Sequence, residues 1–498
     1  MIVNRVSIMG NQTLVFEFDT IVSLAGSLYL LLALGSAAHV VLNKQSEGAA
    51  FSWLGIIVLS PVLGVLLYWL FGINRIRRRA QAERPQHASR VPPHRDAAQE
   101  GDSLAIPDAA DRLPARWQQL LRLGCAIHAE SYVEGNALEP LVDGDTAYPR
   151  MLDSIASAQQ TIRLSSYIFS HDEIGKQFVD ALAVAQQRGV QVRVLIDGIG
   201  VSYGPSWQRV DRALRKRGVQ TARFLSAFST SGTRFLNLRN HRKILVVDGE
   251  LAFVGGLNIR ENNLVCAGGR HRTRDVHFSV TGPVVKQIDK TFCEDWQFAT
   301  QEYLQPSSPS APVDSPKGGV LARVLLDGPD ENYAKLQMTM LGAINAARYD
   351  IRIVSPYFLP EPSVVHALQL AALRGVRVEV IVPQKNNLPF VGWAMQANQW
   401  RLVEFGILLF ESPAPFDHSK LFLVDNTWTL IGSSNWDARS LELNFEINVE
   451  CYDTAFNASV GALVDAKRDT AFAIVSVPER PLLIRLRNNF CRLFSPYL

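Results

Sequence analysis

Residues 241–258 read HRKILVVDGELAFVGGLN, and residues 418–435 read HSKLFLVDNTWTLIGSSN. His241, Lys243, Asp248, Gly255 and Asn258 of the first stretch recur as His418, Lys420, Asp425, Gly432 and Asn435 of the second. The His-to-Asp interval is 7 residues and the His-to-Asn interval 17 residues in both. A single His-x-Lys on a strand is usually surface decoration. Two complete copies with matched glycine and asparagine point to function.

Each copy runs from its histidine into an apolar β run, Ile244–Val247 or Leu421–Val424. Histidine and lysine two apart on a strand share a face. Lysine is a compact cation suited to phosphate oxygens. Neutral imidazole is a nucleophile or base near neutral pH, and its protonated form an acid. Two such sets brought together would hold one phosphate, with one histidine attacking phosphorus and the other protonating the leaving alcohol. Gly255-Gly256 and Gly432-Ser433 would let the backbone approach closely, and Asn258 and Asn435 would donate to the same oxygens. Asp248 and Asp425 complete the catalytic motif, but their places at strand ends before turns suit a structural role.

A nucleophilic histidine needs its other ring nitrogen held by an acceptor. Glu446, 28 residues after His418, fits that task. The residue 28 after His241 is Gly269, so the first copy falls back on Asp275, 34 residues on. There is no Walker-type loop and no cluster with metal-ligand spacing, so a metal-free, cofactor-free reaction is expected.

Around the motifs the pattern alternates. Tyr148–Ala158 has helical spacing, Thr161–Phe169 reads as a strand, Ile174–Arg188 as a helix and Val190–Ile196 as a strand. After a Pro- and Ser-rich linker over 303–318 the order returns: helix Tyr333–Ala347, strand Asp350–Tyr357, helix Val364–Arg374, strand Val376–Val382. Even the helix-to-strand turn repeats, as Arg188-Gly189-Val190 and Arg374-Gly375-Val376. Two domain-sized copies predict two α/β lobes, 114–302 and 319–470, packed as a pseudo-dimer about a pseudo-two-fold axis with one shared site.

Upstream, Ile21–Leu42 and Phe51–Gly72 are each about as long as a bilayer-spanning helix, and they predict a transmembrane hairpin over 21–72. Pro61 is tolerated as a kink. Arg75, Arg77, Arg78 and Arg79 follow directly, which places both ends of the hairpin and all that follows in the cytoplasm. Residues 73–113 read as a flexible basic tether. In the C-terminal segment 471–498, the stretch Pro481–Leu493 suits an amphipathic helix; its narrow apolar set favours packing on the protein over docking on a bilayer.

The chain has 498 residues, 47% of them hydrophobic and 19% charged, which also suits a membrane protein. A net charge of +3 and no dense basic stripe argue against nucleic acid as a partner. Cys125, Cys266, Cys293, Cys451 and Cys491 are scattered, with no CxxC pair, and read as reduced thiols.

The doubled motif, His-x-Lys-x4-Asp followed by Gly-(Gly/Ser)-x-Asn, resembles that of the phospholipase D superfamily over nearly all of 110–498. SPVLGVLLYWLFG with basic residues behind it, RNHRKILVVDGELAFVGGLNI, HSKLFLVDNTWTLIGSSNWDARSLELNFE and the terminal RLFSPYL look most like bacterial cardiolipin synthases. That resemblance implies a bilobal α/β fold and an inner-membrane enzyme with no cofactor. It implies a ping-pong reaction in which two phosphatidylglycerol molecules give cardiolipin and glycerol through a phosphatidyl-histidine. Carried over, His241 and His418 are nucleophile and general acid/base, with His241 favoured as nucleophile. Lys243, Lys420, Asn258 and Asn435 bind phosphate, and Glu446 and Asp275 orient the histidines. A membrane-bound phospholipase D hydrolase, or another phosphatidyltransferase, is the alternative with the same residues.

Overall fold

The computed structural model describes residues 26–44, 47–69, 111–198, 207–224, 238–266, 271–307, 319–329, 332 and 334–495. The basic cluster at 75–79, most of the tether and Gly269 lie outside the described residues. The chain forms two compact units, Met1–Ala82 and Glu83–Leu498.

In the first unit, helix α1 (Gly26–Asn43) has 18 residues and a mean hydropathy of 1.5, long and apolar enough to cross a membrane. The second apolar run departs from the expected single span. It forms α2 (Glu47–Leu59) and α3 (Pro61–Leu67), separated at Ser60. Pro61 has no N–H to continue the ladder. The turn is tight enough that a Cβ on Gly64 would lie 2.3 Å from the Ile56 carbonyl oxygen. Tyr68 hydroxyl and His39 Nδ1 of α1 are 2.7 Å apart, and Trp69 Nε1 donates to Ser36 Oγ at 2.8 Å. Among the described residues, one N-terminal helix is therefore long and apolar enough to span a membrane, with two shorter apolar helices after it.

The second unit begins with α4 (Ala115–Ile127), then β1 (Val133–Val142) and α5 (Asp143–Ser157). Next come β2 (Thr161–Ser166), α6 (Glu173–Gln187), β3 (Gln191–Asp197), α7 (Trp207–Lys216) and β4 (Gln220–Phe224). The first motif occupies β5 (Arg239–Asn240), β6 (Ile244–Val247) and β7 (Leu251–Gly255). The lobe closes with β8 (Thr273–Arg274), β9 (Val276–Thr281) and α8 (Val284–Thr300).

The second lobe repeats this order. It runs β10 (Val320–Asp327), α9 (Lys335–Ala346), β11 (Asp350–Val354), β12 (Phe358–Leu359), α10 (Pro362–Leu373) and β13 (Arg377–Pro383). Then follow α11 (Pro389–Val403), β14 (Leu408–Ser412), β15 (Phe416–Asp417), β16 (Leu421–Val424) and β17 (Trp428–Gly432). Last come β18 (Trp436–Asp437), α12 (Ala438–Glu442), β19 (Asn444–Tyr452), α13 (Thr454–Asp469), β20 (Phe472–Ile474) and α14 (Leu482–Arg492). The repeated Arg-Gly-Val turns have a physical reason. Gly189 and Gly375 take φ of +95° and +89°, which lets Val190 and Val376 N–H bond back to the helix they leave.

One mixed sheet runs through both lobes in the order β20-β14-β13-β11-β16-β17-β19-β10-β1-β9-β7-β6-β2-β3-β4. In each lobe three parallel strands (β2, β3, β4 or β11, β13, β14) adjoin antiparallel ones carrying the motif. The halves meet where β1 pairs antiparallel with β10, and Asn136 fastens the seam by donating to the Val320 carbonyl at 2.9 Å and accepting from Val284 N at 2.8 Å. Each lobe has its own core, and a third core joins Ile244, Val246 and Val280 to Ile447, Val449 and Val460 across the seam. At roughly 1.5–3 kcal/mol per buried aliphatic side chain, such a seam holds the lobes rigidly together.

Two expectations are corrected. Helix α4 precedes the first lobe in the chain, but Trp117, Leu120 and Leu121 are buried in the core of the second. And α14 does not bury its apolar set: Leu482, Leu483, Leu486 and Phe490 are exposed, while Asn488 and Cys491 are its buried positions.

Candidate active site

The site begins with two short parallel bridges between the lobes. β5 lies along the start of β19, so Asn240 pairs with Phe445 and His241 N–H donates to the Phe445 carbonyl at 2.9 Å. β15 lies along β8, so Asp417 pairs with Arg274 and His418 N–H donates to the Arg274 carbonyl at 2.8 Å. The next residue after each bridge is then Glu446 or Asp275. His241 Nδ1 is 3.0 Å from both carboxylate oxygens of Glu446, and His418 Nδ1 is 2.8 Å from Asp275 Oδ2. Glu446 and Asp275 thus each contact the histidine of the opposite lobe, not that of their own copy.

Each catalytic segment is also pinned from behind. Arg242 pairs with Asp295 of α8 at 2.5 Å, both fully buried. In the second lobe the charges are inverted, and Asp417 pairs with Lys467 of α13 at 2.5 Å. Intervals between motif residues gave no sign of these anchors.

Lys243 and Lys420 are buried and donate to the carbonyls of His241 and His418. Burial lowers Lys243 to about 7 and Lys420 to about 8, and the repulsion of Lys420 adds to the effect at Lys243. Burial also lowers His241, partly offset by Glu446. His418 is pushed well below the usual imidazole value by burial and then by Lys420, Lys243 and His241. The four groups thus share one field, with more positive charge than the acids neutralise comfortably, and an entering anion relieves it.

The acids differ. Glu446 is held below its ordinary value: burial opposes ionisation, but His241, Lys243 and the Ser433 hydroxyl together outweigh it. Ser433 Oγ donates to it at 2.5 Å and Asn444 Nδ2 at 3.2 Å. Asp275 is raised by burial to about 6. Gly256 stands where Ser433 stands in the other copy, and a Cβ there would lie 2.2 Å from Asp275 Oδ1. Gly256 therefore makes room for Asp275, whereas Gly255 and Gly432 make room for the neighbouring strand at His277 and at Asn448.

Asn258 Oδ1 accepts from Ile168 N–H at 3.0 Å, and Asn435 is joined to Ser440 Oγ at 3.1 Å. Both are buried beside their lysines' strands. The motif aspartates stand apart. The five residue steps from Lys243 to Asp248 span about 16 Å of strand. Asp248 accepts backbone N–H from Gln159, Gln160 and Thr161 at 2.7–2.8 Å. Asp425 accepts from Tyr349 N–H at 2.8 Å and pairs with Arg116 of α4 at 3.0 Å. Through these contacts the two aspartates hold the strand ends, the structural role that their places before turns suit.

Tyr167 and Tyr357 were missed. The Tyr167 ring is edge-on to His241 at 4.9 Å, and Tyr357 is edge-on to His418 at 6.0 Å. Their signal is in the sequence: Tyr167 follows Ser166 at the end of β2, and Tyr357 follows Ser355 just past β11, in SSYIF and VSPYF. Among the described residues no group of three or more His, Cys, Asp or Glu is arranged to hold a metal.

Two mixed α/β lobes that contribute one His-Lys pair each to a common centre define a phospholipase D-type fold and site. The cardiolipin synthase, phospholipase D-like domain model matches residues 151–296 and 340–466, and a phospholipase D-nuclease N-terminal model matches 31–72. The chain belongs to the cardiolipin synthase branch of the phospholipase D-like family. It is 32% identical to the cardiolipin synthase of Alkalihalophilus pseudofirmus, over 92% of this chain and 91% of that one. It is 30% identical to the major cardiolipin synthase of Bacillus subtilis, over 96% and 100%. The crystal structure of phosphatidylserine synthase from Haemophilus influenzae shares the fold, with a TM-score of 0.59 at 16% identity over 76% of this chain and 100% of that one.

Proposed function

We propose that this phosphatidyltransferase condenses two phosphatidylglycerol molecules into cardiolipin and glycerol through a phosphatidyl group carried on His241. The observation that supports this most is the crossed carboxylate arrangement: it occupies Nδ1 of both histidines and leaves Nε2 of each for chemistry.

The phosphodiester anion enters between Lys243 and Lys420, where it offsets the field that disfavours imidazolium. His241 Nε2 attacks phosphorus. The bond from phosphorus to the headgroup glycerol breaks, and His418, as imidazolium, gives its proton to the departing oxygen. His418 is then neutral. It takes the proton from a hydroxyl of the second phosphatidylglycerol as that oxygen attacks phosphorus and His241 leaves. His241 takes the nucleophile's part because Glu446, ionised and held by Ser433 and Asn444, fixes its ring with both oxygens. Asn258 and Asn435 steady the phosphate oxygens. One phosphodiester replaces another, so the net drive is small and water must be kept from the intermediate.

The second apolar run completes a hairpin with the first, the arginines at 75–79 keep its ends in the cytoplasm, and the lobes work at the inner face of the bacterial cytoplasmic membrane. Membranes containing the chain, supplied with phosphatidylglycerol, should produce cardiolipin and glycerol in equal amounts. Phosphatidic acid without cardiolipin would overturn the transfer reading in favour of hydrolysis.

A further inference from the structure

Helix α14 presents two unlike faces. Toward the protein, Asn488 Nδ2 donates to Gln396 Oε1 of α11 at 3.2 Å, and the Arg487 guanidinium lies 4.2 Å over the Trp393 ring. Toward solvent, Leu482, Leu483, Leu486 and Phe490 are 58–79% exposed, and Leu493 just beyond is 70% exposed. At about 100° per residue these five fall within an arc of roughly 100°. Arg487 borders that arc on one side, and Arg485 and Arg492 lie beyond the other. From Val475 to Ser495 the chain carries four arginines and a single acid, Glu479.

An exposed apolar stripe with a cationic rim matches the interface of an anionic bilayer, where the apolar side chains reach the acyl boundary and guanidinium groups meet phosphates. A second copy of the chain is a poorer occupant, because a two-fold contact would set one basic rim against the other. We propose that α14 lies in the headgroup layer of an anionic phospholipid bilayer, as a membrane contact separate from the N-terminal apolar helices. Trp393 and Gln396, which seat α14, also line, with Asn386, a cavity of about 300 Å³. Asn386 Nδ2 donates to the Pro356 carbonyl, one residue before Tyr357. This inference does not depend on the transfer reaction.

Full-length protein with Cys125 and Cys266 changed to Ser, spin-labelled at Leu486→Cys or Phe490→Cys, tests it after reconstitution into vesicles of phosphatidylglycerol and phosphatidylcholine. Val184→Cys, on the exposed face of α6, is the solvent control. Labels at 486 and 490 should relax preferentially with oxygen, and the label at 184 with a nickel chelate. The oxygen preference at 486 should weaken in phosphatidylcholine alone. Nickel preference at 486 and 490 would overturn the proposal, and so would protection from both reagents, which would mean that protein covers the face. The readout needs no turnover, so it stands apart from any failure of the proposed reaction. Unchanged thermal midpoints of the labelled proteins verify folding.

Discussion

The carboxylate that holds His241 belongs to Glu446, 205 residues later in the chain and in the other lobe. His418 is held by Asp275 from the first lobe in the same crossed manner. Neither lobe therefore contains a complete oriented histidine. This is a physical reason for the continuous sheet and shared core: a shift of the lobes by 1 Å would uncouple both pairs at once.

The crossed pairs predict unequal roles for the acids. Glu446→Gln should lower the rate of glycerol release from phosphatidylglycerol by about 10³-fold or more, because His241 loses its fixed tautomer before attack. Asp275→Asn should slow both steps through His418, and the covalently phosphatidylated protein present during turnover should be captured by an alkaline quench, which preserves the acid-labile phosphorus–nitrogen bond. Mass spectrometry of peptides should find the adduct on His241. An adduct on His418 instead would reverse the assignment of nucleophile.

Either His241→Ala or His418→Ala should abolish cardiolipin formation, since each histidine has a step the other cannot take. A mixture of the two full-length variants should remain inactive, because each site draws on both lobes of one chain. Recovery of turnover in the mixture, read by lipid analysis, would show that lobes exchange between chains.

Burial of Lys243 gives a stability signature. Its proton is lost near 7 in the folded protein, against about 10.4 in an unfolded chain. Between those values the unfolded state binds more protons, so this group makes stability rise with pH from about 7 to 10. Lys243→Met should flatten that rise, raise the thermal midpoint near pH 7 by a few degrees and eliminate turnover. Scanning calorimetry across the pH range decides it. Asp275 has the opposite sign: its raised value favours folding at low pH, and that contribution fades between about 4 and 6.

Much of this was legible in the chain. Alternating apolar runs and the repeated Arg-Gly-Val turns located the parallel strands, because burial and positive φ constrain residue type directly. The crossing was not legible. Asp275 lies 34 residues after His241 and Glu446 lies 28 after His418, and the six extra residues fall in the stretch between Asn258 and β8. The bridges that carry the acids across are two residues long, too short for any periodicity. The placement of α4 escaped for a related reason: amphipathic spacing says that a helix buries a face, not which lobe receives it. Pro61 was visible, but a kink and a break look the same in sequence.

At the middle of the sheet, Glu450 is fully buried and receives Arg323 Nε at 2.7 Å, Trp428 Nε1 at 2.9 Å, and the hydroxyls of Tyr452 and Tyr132 at 2.8 and 3.1 Å. Arg323 and Glu450 face one another in the β10–β19 register. Gly124 of α4 leaves room for the guanidinium, since a Cβ there would stand 2.2 Å from Arg323 Nη2. Removing one partner leaves the other charge buried and unpaired, at a cost of about 3–5 kcal/mol. Glu450→Gln should therefore lower the thermal midpoint far more than a typical substitution. At a temperature where the variant remains folded, the ratio of cardiolipin to phosphatidic acid should be that of the wild type, because no member of this cluster touches the histidines. A changed product ratio in folded Glu450→Gln protein would mean that the network also governs water entry to the site.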